Sequence, residues 1–315
     1  MQDDPEPTTY GAVTPDEAFN LIGNDVRAEI LRALSDERGG EGTPPTLSFS
    51  ELRSRVDSDV DSSRFNYHLQ QLVGRFVERR EDGHSQLVDS VVDPDEGGYA
   101  LRPEGTMLTR TIRAETAAGE ATLSPTALDL DCYFCDGTVE ATYENALFKI
   151  QCADCEYLYE YDLTPPGILN GDAETAISNA SEYNRAVRLA FARGICPLCG
   201  NGVGTTFVAP SETGYPRPDR REACINRSCD HCGRIDILRV GEALLADPGL
   251  LSFCREHGLD ATTTPIWRLE FAITDRNVTV RSTDPWEVAF GLTLDGDTLE
   301  LVVDDELNVI ERSRS

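Results

Sequence analysis

The sequence predicts an α+β chain, with helices in its first third and short antiparallel strands through the rest. Three observations lead there. Apolar residues recur at helical spacing between Thr14 and Phe76. Cysteines come in pairs two residues apart between residues 132 and 232. Strand-like runs separated by turn residues, Asp295-Gly296 among them, fill the C-terminal part.

A chain of 315 residues suits two or three domains. Acids number 56 against 28 basic residues, for a net charge of -28, and Lys149 is the only lysine. At 40% hydrophobic it is too apolar for a disordered acidic chain. No run approaches the roughly 20 apolar residues of a spanning helix, so no membrane partner is expected. Met1 to Pro7 lacks a basic-then-apolar secretion signal, and a cytoplasmic location follows as an expectation. The acid is spread through every region, which points to a whole-surface adaptation rather than an acidic tail. Composition of this kind resembles that of extreme halophiles. Global charge then reports habitat, and only local charge informs on nucleic acid.

Residues 1–13 read as loose. Thr14-Pro15-Asp16-Glu17 opens a helix with an N-cap, a proline at the first position and early acids. Asn24 or Asp25 caps the next, with Val26, Ile30, Leu31 and Leu34 on one face. Residues 39–47 form a loop. Ser48 and Glu51 are spaced as a capping box for a short helix through Val56. A helix follows over 62–76, then strands at Val77–Arg80 and Leu87–Val92, an extended piece at Tyr99–Leu101, and a helix from Pro103 to about Ala118. Helices followed by a β-hairpin give the order of a winged helix-turn-helix.

The helix over 62–76 has a core face of Phe65, Leu69, Leu72 and Phe76. Its opposite side carries Ser63, Asn66, Tyr67, Gln70 and Gln71, with Ser62, Arg64, His68 and Arg75 beside them and Arg79 and Arg80 just beyond. Residues 62–80 hold four arginines and one acid, a local excess of base in a chain of net -28. Amides and hydroxyls suit base edges, and arginines suit phosphates, so these eleven residues are the candidate DNA-binding set. An ordinary solvated helix face is the competing reading.

The phrases AFNLIGNDVRAEILRAL, LSFSELRSRV and SSRFNYHLQQLVGRFVER resemble the ArsR-like winged helix-turn-helix transcription regulators, in the form common in haloarchaea. The match spans Ala18–Leu34, Leu47–Val56 and Ser62–Arg79, with Phe65-Asn66-Tyr67-His68-Leu69 its most specific part. The resemblance implies binding of double-stranded DNA, with the helix over 62–76 in the major groove, and a homodimer through the terminal helices. Residues 14–118 contain no cysteine, so the wider family's metal-sensing thiols are not carried over.

The cysteines are 132, 135, 152, 155, 196, 199, 224, 229, 232 and 254. In a reducing compartment this spacing reads as metal binding before disulfides. Cys132, Cys135, Cys152 and Cys155 make one four-thiolate set, with 16 residues between its pairs. Cys196, Cys199, Cys229 and Cys232 make a second, with 29 residues between. Two residues between thiols lets one tight turn aim both sulfurs at an ion, and two such turns close a tetrahedron around Zn2+. Two structural zinc sites are expected, with iron the alternative since tetrahedral sulfur suits it as well. Gly137, Gly200 and Gly233 follow three of the turns, where a left-handed residue is convenient. Cys224 is the competitor for the place of Cys229. Cys254 reads as a buried apolar residue and His231 as an exposed turn residue.

Residues 119–130 read as a linker. Strands are expected at Thr138–Tyr143 and Leu147–Gln151. Tyr157, Tyr159 and Tyr161 alternate with Leu158, Glu160 and Asp162, either as packing or as a stacking platform for bases. A helix over 170–192 carries Arg185 and Arg188 near its C-terminal end, with Arg193 just after it. Arg217, Arg220, Arg221 and Arg227 form a second basic cluster, for phosphate or for nearby acids. A helix over about 241–257 and strands at Ile266–Ile273, Val278–Arg281, Glu287–Thr293 and Glu300–Val303 follow, anchored by Trp267 and Trp286.

The fold class is therefore α+β: an N-terminal winged helix-turn-helix followed by two four-cysteine zinc-ribbon units and a small antiparallel sheet. The pieces are a loose N-terminus (1–13), the winged helix-turn-helix domain (14–118), a linker (119–130), the first zinc ribbon (131–165), a connecting helix (166–192), the second zinc ribbon (193–240), and a helix plus sheet (241–315). The C-terminal part also resembles a haloarchaeal module that often follows this winged helix, which implies architecture and no activity. A DNA-binding regulator is the expected function. The alternative is a protein-interaction adaptor that binds a partner through its zinc ribbons. No Walker loop, G-x-S-x-G or H-E-x-x-H motif is present, and no enzyme is expected.

Overall fold

Thr14 and Ser48 each begin a helix in the way their spacing to a glutamate predicts. In the computed structural model, which describes residues 13–37, 46–56, 60–80, 98–116 and 122–315, both make reciprocal capping boxes, with Glu17 and Glu51. They open α1 (Pro15–Ile22) and α3 (Phe49–Arg55). Asn24 caps α2 (Asp25–Asp36) by accepting from the Arg27 N–H. Asp61 caps α4 (Ser62–Leu72), accepting from the N–H groups of Ser63 and Arg64. The chain divides into two compact units, Met1–Ala117 and Ala118–Ser315.

The first unit packs α1 to α4 around Ile30, Leu34, Leu52, Phe65, Leu69 and Leu72. The antiparallel pair β1 (Val77–Arg80) and β2 (Gly98–Leu101) aligns Val77 with Leu101, and α5 (Pro103–Thr116) follows. The helix expected over 62–76 stops at Leu72. Gly74 takes a left-handed φ of 81°, which ends the helix and turns the chain into β1 while Phe76 stays in the core. The expected strand at Leu87–Val92 lies outside the described residues.

Among the described residues the second unit holds three antiparallel sheets. The first runs β3-β4-β5-β6 (Leu123–Asp131, Thr138–Glu144, Leu147–Cys152, Leu158–Leu163). After α6 (Ala173–Ala192) comes β7-β8-β9 (Gly204–Val208, Cys224–Ser228, Ile235–Arg239). The short helices α7 (Val240–Ala243), α8 (Pro248–Glu256) and α9 (Glu270–Ile273) lead into β10-β11-β12-β13 (Val278–Thr283, Trp286–Leu294, Asp297–Asp304, Val309–Arg314). One apolar core runs through all three sheets, from Cys132 and Phe148 through Phe191 and Ile225 to Phe290 and Val303. No helix among the described residues is long and apolar enough to cross a membrane.

Several expectations are corrected. The linker at 119–130 is largely β3, an edge strand. Leu128 and Leu130 alternate inward against Asp129 and Asp131, and Pro125 is tolerated at a register shift between Leu123 and Thr126. Ile266–Ile273 is a 3-10 turn and α9, not a strand. Trp267, Leu269 and Phe271 are buried while Arg268 and Glu270 between them are exposed, an alternation of period two that imitates a half-buried strand. The helix over 241–257 breaks at Asp247-Pro248, where Asp247 caps α8. Trp267 is buried as expected, whereas Trp286 is half-buried and stacks on Phe207 at 5.5 Å.

Candidate metal centres and nucleic-acid face

Each C-x2-C pair folds into the same turn. The N–H four residues after the first cysteine donates back to that cysteine's carbonyl: Asp136 to Cys132, Glu156 to Cys152, Gly200 to Cys196 and Gly233 to Cys229, at 2.8–3.1 Å. Each first cysteine donates its own N–H to the carbonyl five residues on, at 2.8–3.0 Å. The residue after the second cysteine is left-handed in all four turns, with φ of 57° at Asp136, 60° at Glu156 and 74° at both Gly200 and Gly233. Glycine therefore serves this position in the second cluster only. Gly137 has no left-handed φ and instead lies against the Asp154 side chain.

These turns bring the thiols together as the spacing predicts. Cys132, Cys135, Cys152 and Cys155 have all four sulfurs within 4.8 Å of one another, as do Cys196, Cys199, Cys229 and Cys232. Cys132 and Cys155 have their sulfurs 3.7 Å apart and Cys135 and Cys152 3.5 Å apart, and in the second cluster Cys196 and Cys232 are at 3.6 Å and Cys199 and Cys229 at 3.5 Å. A tetrahedron of sulfurs about 2.3 Å from zinc has edges of about 3.8 Å, so the donor set fits a Zn2+-sized ion without rearrangement. Cys224 is outside the cluster, fully buried in β8 with Arg221 Nη1 at 3.9 Å from its sulfur, so Cys229 keeps the ligand place. Cys254 is buried in α8 and His231 is exposed, both as expected.

The surroundings suit thiolates. At Cys132 burial opposes ionisation, but hydrogen bonds from the Tyr159 hydroxyl and the N–H groups of Phe134 and Cys135 outweigh it and hold the thiol at about 7. Burial pushes Cys152 up to about 12. In the second cluster the Asn201 amide, 3.5 Å from Cys199 Sγ, brings that thiol down to about 6. Thiols this crowded do not all ionise without a cation among them.

The arginines between the second pair of turns are spent inside this unit. Arg220 lies over the Phe134 ring at 4.5 Å with Nη1 3.8 Å from Cys155 Sγ. Arg217 pairs with Asp219 and donates to the Cys155 carbonyl. Arg221 is buried over the Tyr215 ring, and Arg227 is buried on Thr205 Oγ1 and the Ala192 carbonyl. Within this unit these arginines serve Asp219, the Cys155 thiol, backbone carbonyls and aromatic rings. The tyrosines divide in the same way. Tyr157 and Tyr159 are fully buried, and Tyr161 is exposed.

A buried charged network is not visible in the sequence. Glu160 and Asp162, two apart on β6, face Asn184 and Arg188, four apart on α6. Arg188 also pairs with Glu242 of α7, and Glu242 in turn lies 3.5 Å from Arg239. Burial, reinforced by the neighbouring carboxylates and opposed by Arg188, raises both Asp162 and Asp236 to about 7. Asp236 Oδ1 accepts from the Ile237 N–H, while Oδ2 has no partner. Between about pH 4 and about pH 7 both groups hold, in the folded chain, protons that the unfolded chain has released. They therefore favour folding fully below pH 4, and that contribution is lost as pH rises through about 7. Asp236→Asn is expected to flatten the fall in urea midpoint between roughly pH 5 and pH 8, an effect on the order of 2 kcal/mol. An unchanged pH profile would show that Asp236 titrates normally.

In the first unit, α4 exposes Ser62, Ser63, Arg64, Asn66, Tyr67 and Gln70. Arg75 and Arg79 are exposed after it. Gln71 is half-buried, and Arg80 is half-buried with Nη2 2.6 Å from Glu78. His68 corrects the expected face. Three residues after Phe65 and next to Leu69, it turns inward at 7% exposure, and burial, with Arg27 and Arg64 nearby, lowers its pKa. The FNYHL phrase thus combines core residues, Phe65, His68 and Leu69, with surface residues, Asn66 and Tyr67.

No curated protein and no solved structure matches the chain. Residues 15–85 match the family described as "Domain of unknown function (DUF7347)". Residues 129–309 match the family described as "Domain of unknown function (DUF7351)", a span that includes both thiol clusters and more than half of the chain. The chain belongs to the DUF7351 family.

Proposed function

We propose that this chain is a DNA-binding transcription regulator of the ArsR-like winged-helix type, with structural zinc in both four-cysteine sites. The observation that carries the reading is α4. A helix anchored by Phe65, Leu69 and Leu72 presents hydroxyls, amides and Arg64 outward and is followed by arginines and the antiparallel β1–β2 pair. In this reading α4 enters the major groove, Asn66 and Gln70 address base edges, and Arg64, Arg75 and Arg79 position the backbone. Phe19 on α1 and Met107 and Ile112 on α5 are exposed apolar side chains, and in this reading they contribute to a homodimer contact. A cytoplasmic location accompanies the reading.

The proposed occupant of each site is a structural rather than a catalytic zinc, since four thiolates leave no open coordination position. DNA binding is tested by gel shift of the full chain on its own promoter region at molar KCl. Asn66→Ala and Arg64→Ala are each expected to weaken binding by roughly 1–3 kcal/mol. If both variants bind like the parent, α4 does not read DNA.

A further inference from the structure

The second unit contains a cavity of about 210 Å3 beside α6. Leu189, Leu245, Leu251 and Ile266 form apolar walls, and Arg185, Arg188 and Arg193 reach its lining from one helix and its C-cap. Arg188 is paired with Asp162 and with Glu242, whose carboxylate also lines the cavity, although its buried Nε has no hydrogen-bond partner. Arg185 gives its terminal nitrogens to the carbonyls of Ala261 and Thr264, which do not neutralise it. Its buried Nε is without a hydrogen bond, and the exposed Glu182 carboxylate is 3.9 Å away. Arg193 is exposed and makes no ion pair or side-chain hydrogen bond with the described residues. In a chain of net -28, an apolar hollow with an unmatched guanidinium on its lining is a site for an anion that also carries an apolar body.

We propose that this cavity binds a small monocarboxylate with an apolar body, the carboxylate on Arg193 and the body between Leu189, Leu245, Leu251 and Ile266. Size sets the class. An apolar cavity of about 150 Å3 holds benzene, and the same ratio of space to atoms gives about eight or nine non-hydrogen atoms here, the size of benzoate. A carboxylate–guanidinium pair is bidentate and directional, whereas chloride or acetate leaves the apolar walls unfilled. The proposal does not depend on DNA binding, since every residue it uses lies in Ala118–Ser315.

The test is calorimetric titration of the full chain with sodium benzoate at constant molar KCl, beside acetate and benzyl alcohol. Benzoate is expected to saturate one site with a Kd at or below about 1 mM, at least tenfold tighter than either control. Arg193→Gln, at an exposed position, is expected to weaken benzoate at least tenfold without changing the melting temperature. Leu251→Trp, which fills the hollow, is expected to abolish binding, with folding checked by circular dichroism. Saturable binding that ignores Arg193→Gln, equal affinity for benzyl alcohol, or no saturation by benzoate up to about 20 mM would overturn the proposal.

Discussion

Stripping metal from the full-length chain with a strong chelator is expected to unfold Ala118–Ser315 and to leave the fold of Met1–Ala117 in place. The thiols belong to the framework itself. Cys152 is the last residue of β5, Cys132 follows β3 directly, and both are among the fully enclosed core residues of this unit. Four left-handed turns must be held at once, two of them on Asp136 and Glu156, which disfavour that backbone region. A structural zinc site contributes roughly 10–16 kcal/mol of apparent free energy, while a typical domain has about 5–15 kcal/mol in total. Loss of two such sites exceeds anything a single apolar core retains. The expected composition is two zinc per chain, one in Cys152→Ser and in Cys229→Ser, and still two in Cys224→Ser. Metal analysis by mass spectrometry with hydrogen exchange read separately over the two units checks this. Residues 14–118 contain no cysteine, so their exchange protection should survive chelation. Full protection of 118–315 after complete metal loss would show that the core stands alone and the thiols are incidental.

What is legible in the sequence is local. The two capping boxes and the four C-x2-C turns depend on residues within five positions of each other, and each forms where the spacing places it. The apolar period of α4 is also local, but His68 departs from it because it lies at the edge of the core face, where one polar ring is accommodated. What the sequence hides is long-range or compositional. Arg188 meets partners 26 and 54 residues away, and nothing in their neighbourhoods marks Glu160, Asp162 or Glu242 as inward. In a chain carrying 56 acids, a buried carboxylate looks like any surface one. The arginines at 217–227 suit a phosphate or nearby acids equally on sequence alone, and in the fold their partners are Asp219, a thiol, carbonyls and aromatic rings. The strand β13 escapes sequence reading because its residues are mostly exposed and charged, and only pairing with β12 defines it.

Replacing Arg188 by Met is expected to destabilise the second unit by about 3–5 kcal/mol near neutral pH, the cost of leaving a buried ion pair half-occupied. Arg188 is 7% exposed and touches Asp162 of β6 and Glu242 of α7 with separate nitrogens, so one side chain on α6 ties the strand after the first thiol pairs to the helix after the second sheet. Its removal leaves Glu160, Asp162 and Glu242 buried with Arg239 as the nearby cation. Without the opposing charge of Arg188, burial drives Glu160 and Asp162 further toward their protonated forms, and the sign with pH follows. Asp162 is already raised to about 7 beside Arg188, and without that cation it rises further, so Arg188→Met should recover much of its loss near pH 5. A charge-balanced variant separates electrostatics from packing. Arg188→Met combined with Asp162→Asn and Glu242→Gln should be more stable at neutral pH than Arg188→Met alone, because no uncompensated carboxylate of the pair remains. Urea midpoints of the three proteins near pH 5 and near pH 8, with zinc content unchanged, decide it. If Arg188→Met loses the same stability at both pH values, the arginine acts by filling space beside α7, and the carboxylates around it are neutral already.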